Sequence, residues 1–226
     1  MWMEAMRSAV ILAGGAGSRL GKEKSLIKFD GRLLIQWSAE KLAHVMEDVV
    51  VVARDPEQAS QLKDFIPNAT ITYDSISGYG PVAGLAEGMK NARGEYALAV
   101  GCDLPFLNID AINLLFELAQ GYDAAVPTKE NGMMEPLHAV YKRDALYSAC
   151  QKAIERGERR IRSPLAILRV DCVPVEMLKD LDPQLLTFFN INTREDLDLA
   201  RKLWSEAQLS HRLRDNASAE CRPHRR

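Results

Sequence analysis

The chain has 226 residues, 47% hydrophobic and 27% charged, with 29 Lys and Arg against 31 Asp and Glu for a formal net charge of −2. That balance supports one substantial core and argues against nucleic acid or an anionic membrane as a partner recognised by bulk charge. The four scattered cysteines (Cys102, Cys150, Cys172, Cys221) form no Cys-x-x-Cys pair, no apolar run reaches the length of a membrane span, and the start lacks a signal-peptide layout. Reduced thiols, no zinc site and a cytoplasmic setting are therefore expected.

Apolar runs at 9–13, 49–53, 70–73, 96–100 and 123–126 predict strands. Amphipathic stretches at 34–45, 56–65, 82–91 and 109–119 predict helices between them. Strand and helix in turn predict right-handed βαβ units, hence an α/β, Rossmann-like three-layer fold with a mostly parallel central sheet. After residue 126 the rhythm changes to a strand at 136–141, a helix at 143–155 and a strand at 169–175. A helix at 194–205 is opened by Thr193 with Asp196 three residues later. No repeat or Pro/Ser-rich linker intervenes, so 1–206 reads as a single domain and 207–226 as a polar, basic, disordered tail.

Ligands in such sheets bind beyond the carboxyl ends of the strands. This directs attention to Gly14 through Lys24, to Asp74 and to Asp103. The first strand runs into Leu12-Ala13-Gly14-Gly15-Ala16-Gly17-Ser18-Arg19-Leu20-Gly21-Lys22-Glu23-Lys24. Glycines let backbone N–H groups approach an anion, and Arg19, Lys22 and Lys24 supply countercharge. A dinucleotide fingerprint needs a third glycine where Leu20 stands. A P-loop needs glycine at Ala16 and Ser or Thr at Glu23. What remains suits a triphosphate, with N–H groups of Gly15 to Gly17 cradling phosphates and Arg19 and Lys24 meeting charge on a leaving pyrophosphate. Lys22 reads equally as part of a solvated turn.

Asp103 ends the fourth predicted strand. A carboxylate there needs a partner, and magnesium beside a nucleoside triphosphate is the natural one; an Asx turn ahead of Pro105 is the competing reading. Asp74 ends the third strand, placed to accept from a ribose or base or to cap its own turn. Gly80-Pro81 opens the next helix. Gly84 within that helix lets a ribose or base lie close, or lets the helix pack close to the sheet. Cys102 reads as a buried, inert thiol, and His138 as a core or wall residue rather than a general base.

At these residues the chain resembles the molybdenum cofactor guanylyltransferase family, of the nucleotidyltransferase superfamily, from about Ser8 to Trp204. The resemblance rests on Leu12-Ala13-Gly14-Gly15 with Arg19, Gly21 and Lys24, and on Asp74 with Gly80-Pro81-x-Ala83-Gly84. Cys102-Asp103-Leu104-Pro105, Glu135-Pro136-Leu137-His138-Ala139-Val140-Tyr141, Gly157-Glu158-Arg159-Arg160 and Asn190-Ile191-Asn192-Thr193 follow in order. It departs from the pattern at Glu23, where Asp is common, and at Val52-Ala53, where some relatives carry a polar residue.

The resemblance implies a nucleotidyltransferase fold and GTP binding through Leu12, Ala13, Gly14, Lys24, Asp74 and Asp103, with Mg2+ on Asp103; Gly15, Gly80 and Gly84 join them as candidate GTP contacts from their places in the loop and at the helix. Arg19, Lys24 and Asp103 are the candidate catalytic set. Arg159, Arg160, Asn190 and Asn192 are candidates for receiving the acceptor, molybdenum-loaded molybdopterin, the arginine pair reading equally as a solvated loop. Proteins that deliver or receive the cofactor are candidate transient partners. Alternatives that share the first loop are cytidylyl transfer to the same cofactor, guanylyl transfer to cobinamide phosphate and sugar-phosphate activation. A non-catalytic nucleotide-binding module is the alternative of another class.

Overall fold

The computed structural model describes residues 6–14, 24–76 and 79–220, with side chains described to residue 209. β1 (Arg7–Leu12) precedes a hairpin of β2 (Lys28–Phe29) and β3 (Arg32–Leu33) that sequence reading missed. Asp30 and Gly31 form its two-residue turn, both at positive φ. There follow α1 (Leu34–Ala43), β4 (Asp48–Ala53), α2 (Pro56–Lys63), β5 (Thr70–Tyr73), α3 (Pro81–Asn91), β6 (Tyr96–Gly101), α4 (Ile109–Leu118) and β7 (Ala124–Thr128). β8 (His138–Lys142), α5 (Arg143–Glu155), a one-turn α6 (Arg162–Leu165), β9 (Val170–Pro174) and α7 (Arg194–Glu220) complete the order. α7 therefore runs past the predicted end at Ser205.

The sheet order is β5-β4-β1-β6-β8-β7-β9. β8 alone among these strands runs antiparallel, wedged between β6 and β7. The sheet is buried on both faces, which explains unbroken apolar runs such as Val49-Val50-Val51-Val52. Val49 and Val51 join a core with Ile35, Leu62 and Ile112 from α1, α2 and α4. Val50 and Val52 join a second core with Leu85, Met89, Leu146 and Cys150 from α3 and α5. These are the two helical layers over the sheet. α3 lies very close: a Cβ on Gly88 would meet Val10 Cγ1 at 2.2 Å.

A third cluster docks α7 on the β2–β3 hairpin through Phe29, Leu34, Ile191 and Leu197. Trp204 reinforces it, donating its indole N–H to Asp30 at 2.7 Å. The predicted start of α7 is present as a reciprocal cap: Thr193 N donates to Asp196 Oδ2 and Asp196 N to Thr193 Oγ1. Among the described residues no helix is long and apolar enough to cross a membrane.

Candidate active site

The parallel register aligns Leu12 with Val52 on one side and Gly101 on the other, and Ala53 with Tyr73. The ladder continues one step past the strands: Ala13 N donates to Val52 O at 2.9 Å, Asp74 N to Ala53 O at 2.9 Å, and Cys102 N to Leu12 O at 3.2 Å. Gly14, Asp74 and Asp103 thus emerge along one carboxyl edge. Asp74 and Asp103 leave β5 and β6, three interstrand steps apart or about 14 Å. That separation is too large for the two carboxylates to share one ion.

Lys24 and Asp103 meet. Lys24 Nζ donates to Asp103 Oδ2 at 2.7 Å and to Asn192 Oδ1 at 2.5 Å. The three come from the first loop, the end of β6 and the approach to α7. The last is tied in by Ile191 N donating to the Asp103 carbonyl at 3.0 Å. Lys24 is positioned from below by its neighbour. Buried Ser25 accepts from Gln58 Nε2 at 3.0 Å, and the same nitrogen reaches the Ala13 carbonyl at 3.3 Å. Gln58 carried no sequence signal beyond being a polar residue in a helix.

Gly101 was also missed. A Cβ there would lie 2.6 Å from Asp103 Oδ1, so glycine is what lets this carboxylate fold back over the strand end. Oδ1 accepts no hydrogen bond among the described residues. Among them, too, no three His, Cys, Asp or Glu side chains converge to hold a metal. A sheltered carboxylate oxygen with no partner among the described residues still fits magnesium, which takes one or two carboxylates and completes its shell with phosphate and water.

Asp74 Oδ1 accepts Ile76 N at 2.9 Å, so its turn-capping role is present. Burial, reinforced by the nearby Glu87 charge, holds its carboxyl above the usual carboxylate range despite that hydrogen bond. Gly80 caps α3 at φ 59°, a conformation that favours glycine. A Cβ on Gly84 would press on Leu12 Cδ2 at 3.3 Å, and one on Gly14 on Arg54 Cα at 3.1 Å. Gly84 thus faces the sheet, as in its packing alternative. Leu12 and Ala13 are buried, one in each core.

The acceptor candidates separate. Asn192 sits on Lys24. Asn190 turns back on Phe188 O at 3.1 Å. The Arg159 guanidinium lies 5.5 Å from the Tyr79 ring centroid, beside Gly80, and Arg160 is exposed with no ion pair among the described residues. Near Lys24, burial pushes the Asp196 carboxyl up, but hydrogen bonds from Asn192 N, Thr193 N and the Thr193 hydroxyl, with the Lys24 charge, hold it below its usual range. Gly15, Arg19 and Lys22 lie outside the described residues.

Two other chemistries are closed off. Burial and the adjacent Asp103 charge push the Cys102 thiol up to about 12, leaving no thiolate nucleophile. Burial pushes the His138 imidazole down to about 3, leaving it neutral within the wall of the fold.

Residues 9–170 match the family model described as MobA-like NTP transferase domain. A probable molybdenum cofactor guanylyltransferase of Methanosarcina mazei is 39% identical over 199 residues, 85% of this chain and 88% of that protein. A molybdenum cofactor guanylyltransferase of Desulfosudis oleivorans is 32% identical over 206 residues, 90% and 98% of the two chains. The crystal structure of molybdopterin-guanine dinucleotide biosynthesis protein A from Archaeoglobus fulgidus superposes with a TM-score of 0.78 at 33% identity, over 88% of this chain and 99% of that one. A Thermus thermophilus 2-C-methyl-D-erythritol 4-phosphate cytidylyltransferase has a TM-score of 0.63 at 20% identity, over 87% and 98% of the two chains, a likeness of fold alone. The mostly parallel sheet, the glycine-rich loop and the Lys24–Asp103 pair at its carboxyl edge are those of a nucleotidyltransferase, and the chain belongs to the MobA-like NTP transferase family.

Proposed function

We propose that this nucleotidyltransferase moves GMP from GTP onto the terminal phosphate of molybdenum-loaded molybdopterin and releases pyrophosphate. The Lys24–Asp103 contact at the open carboxyl edge carries this reading. A cation and a carboxylate side by side beyond the strand ends suit the phosphates of a nucleoside triphosphate and the divalent ion that accompanies them. The names borne by relatives at 30% identity and above supply the base and the acceptor.

An oxygen of the acceptor phosphate attacks the α-phosphorus of GTP in line. The bond from that phosphorus to the bridging oxygen breaks, and pyrophosphate leaves with the electron pair. The nucleophile is already an anion, so no protein nucleophile or base is required, consistent with an inert Cys102 and a neutral His138. The work falls to positioning and charge. Lys24 moves its ammonium from Asp103 to the phosphates and, with Arg19, meets the charge on the leaving group. Asp103 would hold magnesium through Oδ1, and an ion bound there would offset repulsion between the two phosphates.

Gly14, Gly15 and Gly80 give the nucleotide its approach, Leu12, Ala13 and Gly84 shape the floor beneath it, and Asp74 takes the nucleoside end. Arg159 and Arg160 receive the anionic pterin, and Asn190 and Asn192 border that side. The scattered cysteines, with no Cys-x-x-Cys pair, support a reducing, cytoplasmic setting. The test is magnesium-dependent pyrophosphate release from GTP, CTP, UTP and ATP, with and without molybdenum-loaded molybdopterin. Release from GTP only, and only with that acceptor, is the expected result. Preference for CTP would change the base, and release without the pterin would remove the acceptor.

A further inference from the structure

His138 opens β8 and pairs with Val100 near the carboxyl end of β6. It is 1% exposed, with the Phe188 ring against it at 4.7 Å between centroids. The reaction above gives it no part. Its Nε2 lies 3.1 Å from the hydroxyl of Thr187, itself fully buried. Thr187 Oγ1 also accepts the Asn108 N–H at 3.0 Å, and Thr187 N donates to the Asp182 carboxylate at 2.7 Å. A hydroxyl has one proton to give. If Thr187 gives it to Nε2, a single polar group stays unmatched among the described residues, the His138 Nδ1–H. If Nε2–H donates instead, the hydroxyl proton and the Nδ1 lone pair are both stranded. The first arrangement leaves one orphan rather than two and fixes the tautomer.

Thr187 lies in the single turn Leu186–Phe188, and the residue before that turn, Leu185, is in the left-handed region at φ 51°. A leucine there is strained and persists only where its surroundings hold it. Four residues after Thr187 comes Ile191, tied to the Asp103 carbonyl, and then Asn192, on Lys24. We propose that His138, acting through Thr187, is a positioning residue that holds segment 185–192 in the course that brings Ile191 to Asp103 and Asn192 to Lys24. Only the turnover arm of its test rests on the proposed function.

Thr187→Val removes the hydroxyl and nearly keeps the shape; Thr187→Ser keeps the hydroxyl. Pyrophosphate release from GTP with the molybdopterin acceptor and hydrogen exchange at the Ile191 amide are both read well below the melting temperature. Thr187→Val is expected to lower kcat about tenfold, to leave KM for GTP within about twofold and to speed Ile191 exchange about tenfold. Thr187→Ser should stay within about threefold of the unmodified chain in each. A Thr187→Val protein with a lower Tm but unchanged kcat and Ile191 protection would overturn the proposal. If Thr187→Val does not fold, His138→Gln and His138→Leu take its place. The Gln carboxamide oxygen can accept the Thr187 proton and should preserve the Ile191 protection that Leu loses; equal protection in the two would overturn it. If the unmodified chain releases no pyrophosphate from GTP, the functional reading falls, and Ile191 exchange alone decides the positioning role.

Discussion

Lys24 Nζ and Asp103 Oδ2 stand 2.7 Å apart although 79 positions separate them in the chain. Both are mostly sheltered, with side chains 21% and 14% exposed, so the contact is less screened than a surface pair. Without substrate each side chain offsets the desolvation of the other. If a triphosphate binds as proposed, the lysine would gain a more highly charged partner and the carboxylate would be freed for a cation.

Their effects on catalysis should therefore not add. Lys24→Ala and Asp103→Ala should each lower turnover about a hundredfold or more, while the double variant should fall well short of the product of the two losses. Circular dichroism should show all three folded. Full turnover in either folded single variant would remove that residue from the mechanism.

Gly101→Ala and Gly88→Ala should part company. The added methyl at Gly101 strikes Asp103 Oδ1 at 2.6 Å, so the carboxylate must move. Turnover should drop toward that of the Asp103 variant with little change in Tm. The methyl at Gly88 strikes Val10 Cγ1 at 2.2 Å inside the core. Stability should fall by about 1–3 kcal/mol while the folded fraction keeps its kcat. Paired denaturation and steady-state measurements separate the two effects.

His138 makes stability depend on pH. Its folded-state pKa is depressed from the ordinary 6.5 to about 3. Between those values the unfolded chain binds a proton that the folded chain refuses, so stability is full above 6.5 and is lost as pH falls through the window. The slope from this residue is at most about 1.4 kcal/mol per pH unit. Denaturant midpoints at about pH 7.5 and about pH 5 should show the loss in the unmodified chain and a smaller loss in His138→Gln.

The thiols should separate by burial. Cys172 is exposed, whereas Cys102 and Cys150 are buried and both pushed up to about 12. Alkylation at mildly alkaline pH, followed by peptide mass mapping, should modify Cys172 in the native protein and reach Cys102 and Cys150 only on unfolding. Rapid modification of native Cys102 would contradict the burial of its thiol.

Much of the architecture was legible because it is written in local periodicity. Fully buried strands such as 49–53 need apolar residues on both faces, and α5 matches its predicted bounds at both ends. The antiparallel insertion of β8 between β6 and β7 was not legible, since periodicity marks a strand without its direction or neighbours. The β2–β3 hairpin was passed over because its strands have two residues each, although Asp30-Gly31 is a recognised hairpin signal. α7 outran its predicted end because a polar run of Ala, Gln, Leu and Arg reads as a tail when it is also a set of good helix formers.

Within the site, the residues that meet were both legible as candidates, Asp103 just beyond the end of β6 and Lys24 in the loop after β1, on the edge where this class of sheet binds ligands. The contact of Asn192 with Lys24 was not legible, because it spans 168 positions that no local pattern encodes. Gly101 and Gln58 escaped notice for the same reason: their work is to make room for, or to brace, a residue distant in sequence.

Labelled phosphorus followed through a single turnover decides whether GMP reaches the pterin. With GTP labelled at the α-phosphate, magnesium and molybdenum-loaded molybdopterin, label is expected in a pterin–guanine dinucleotide and unlabelled pyrophosphate in equal amount, with neither formed by Asp103→Asn. Label that stays in GTP while CTP labelled in the same way enters the pterin product, or label that appears only as free GMP, would contradict that transfer.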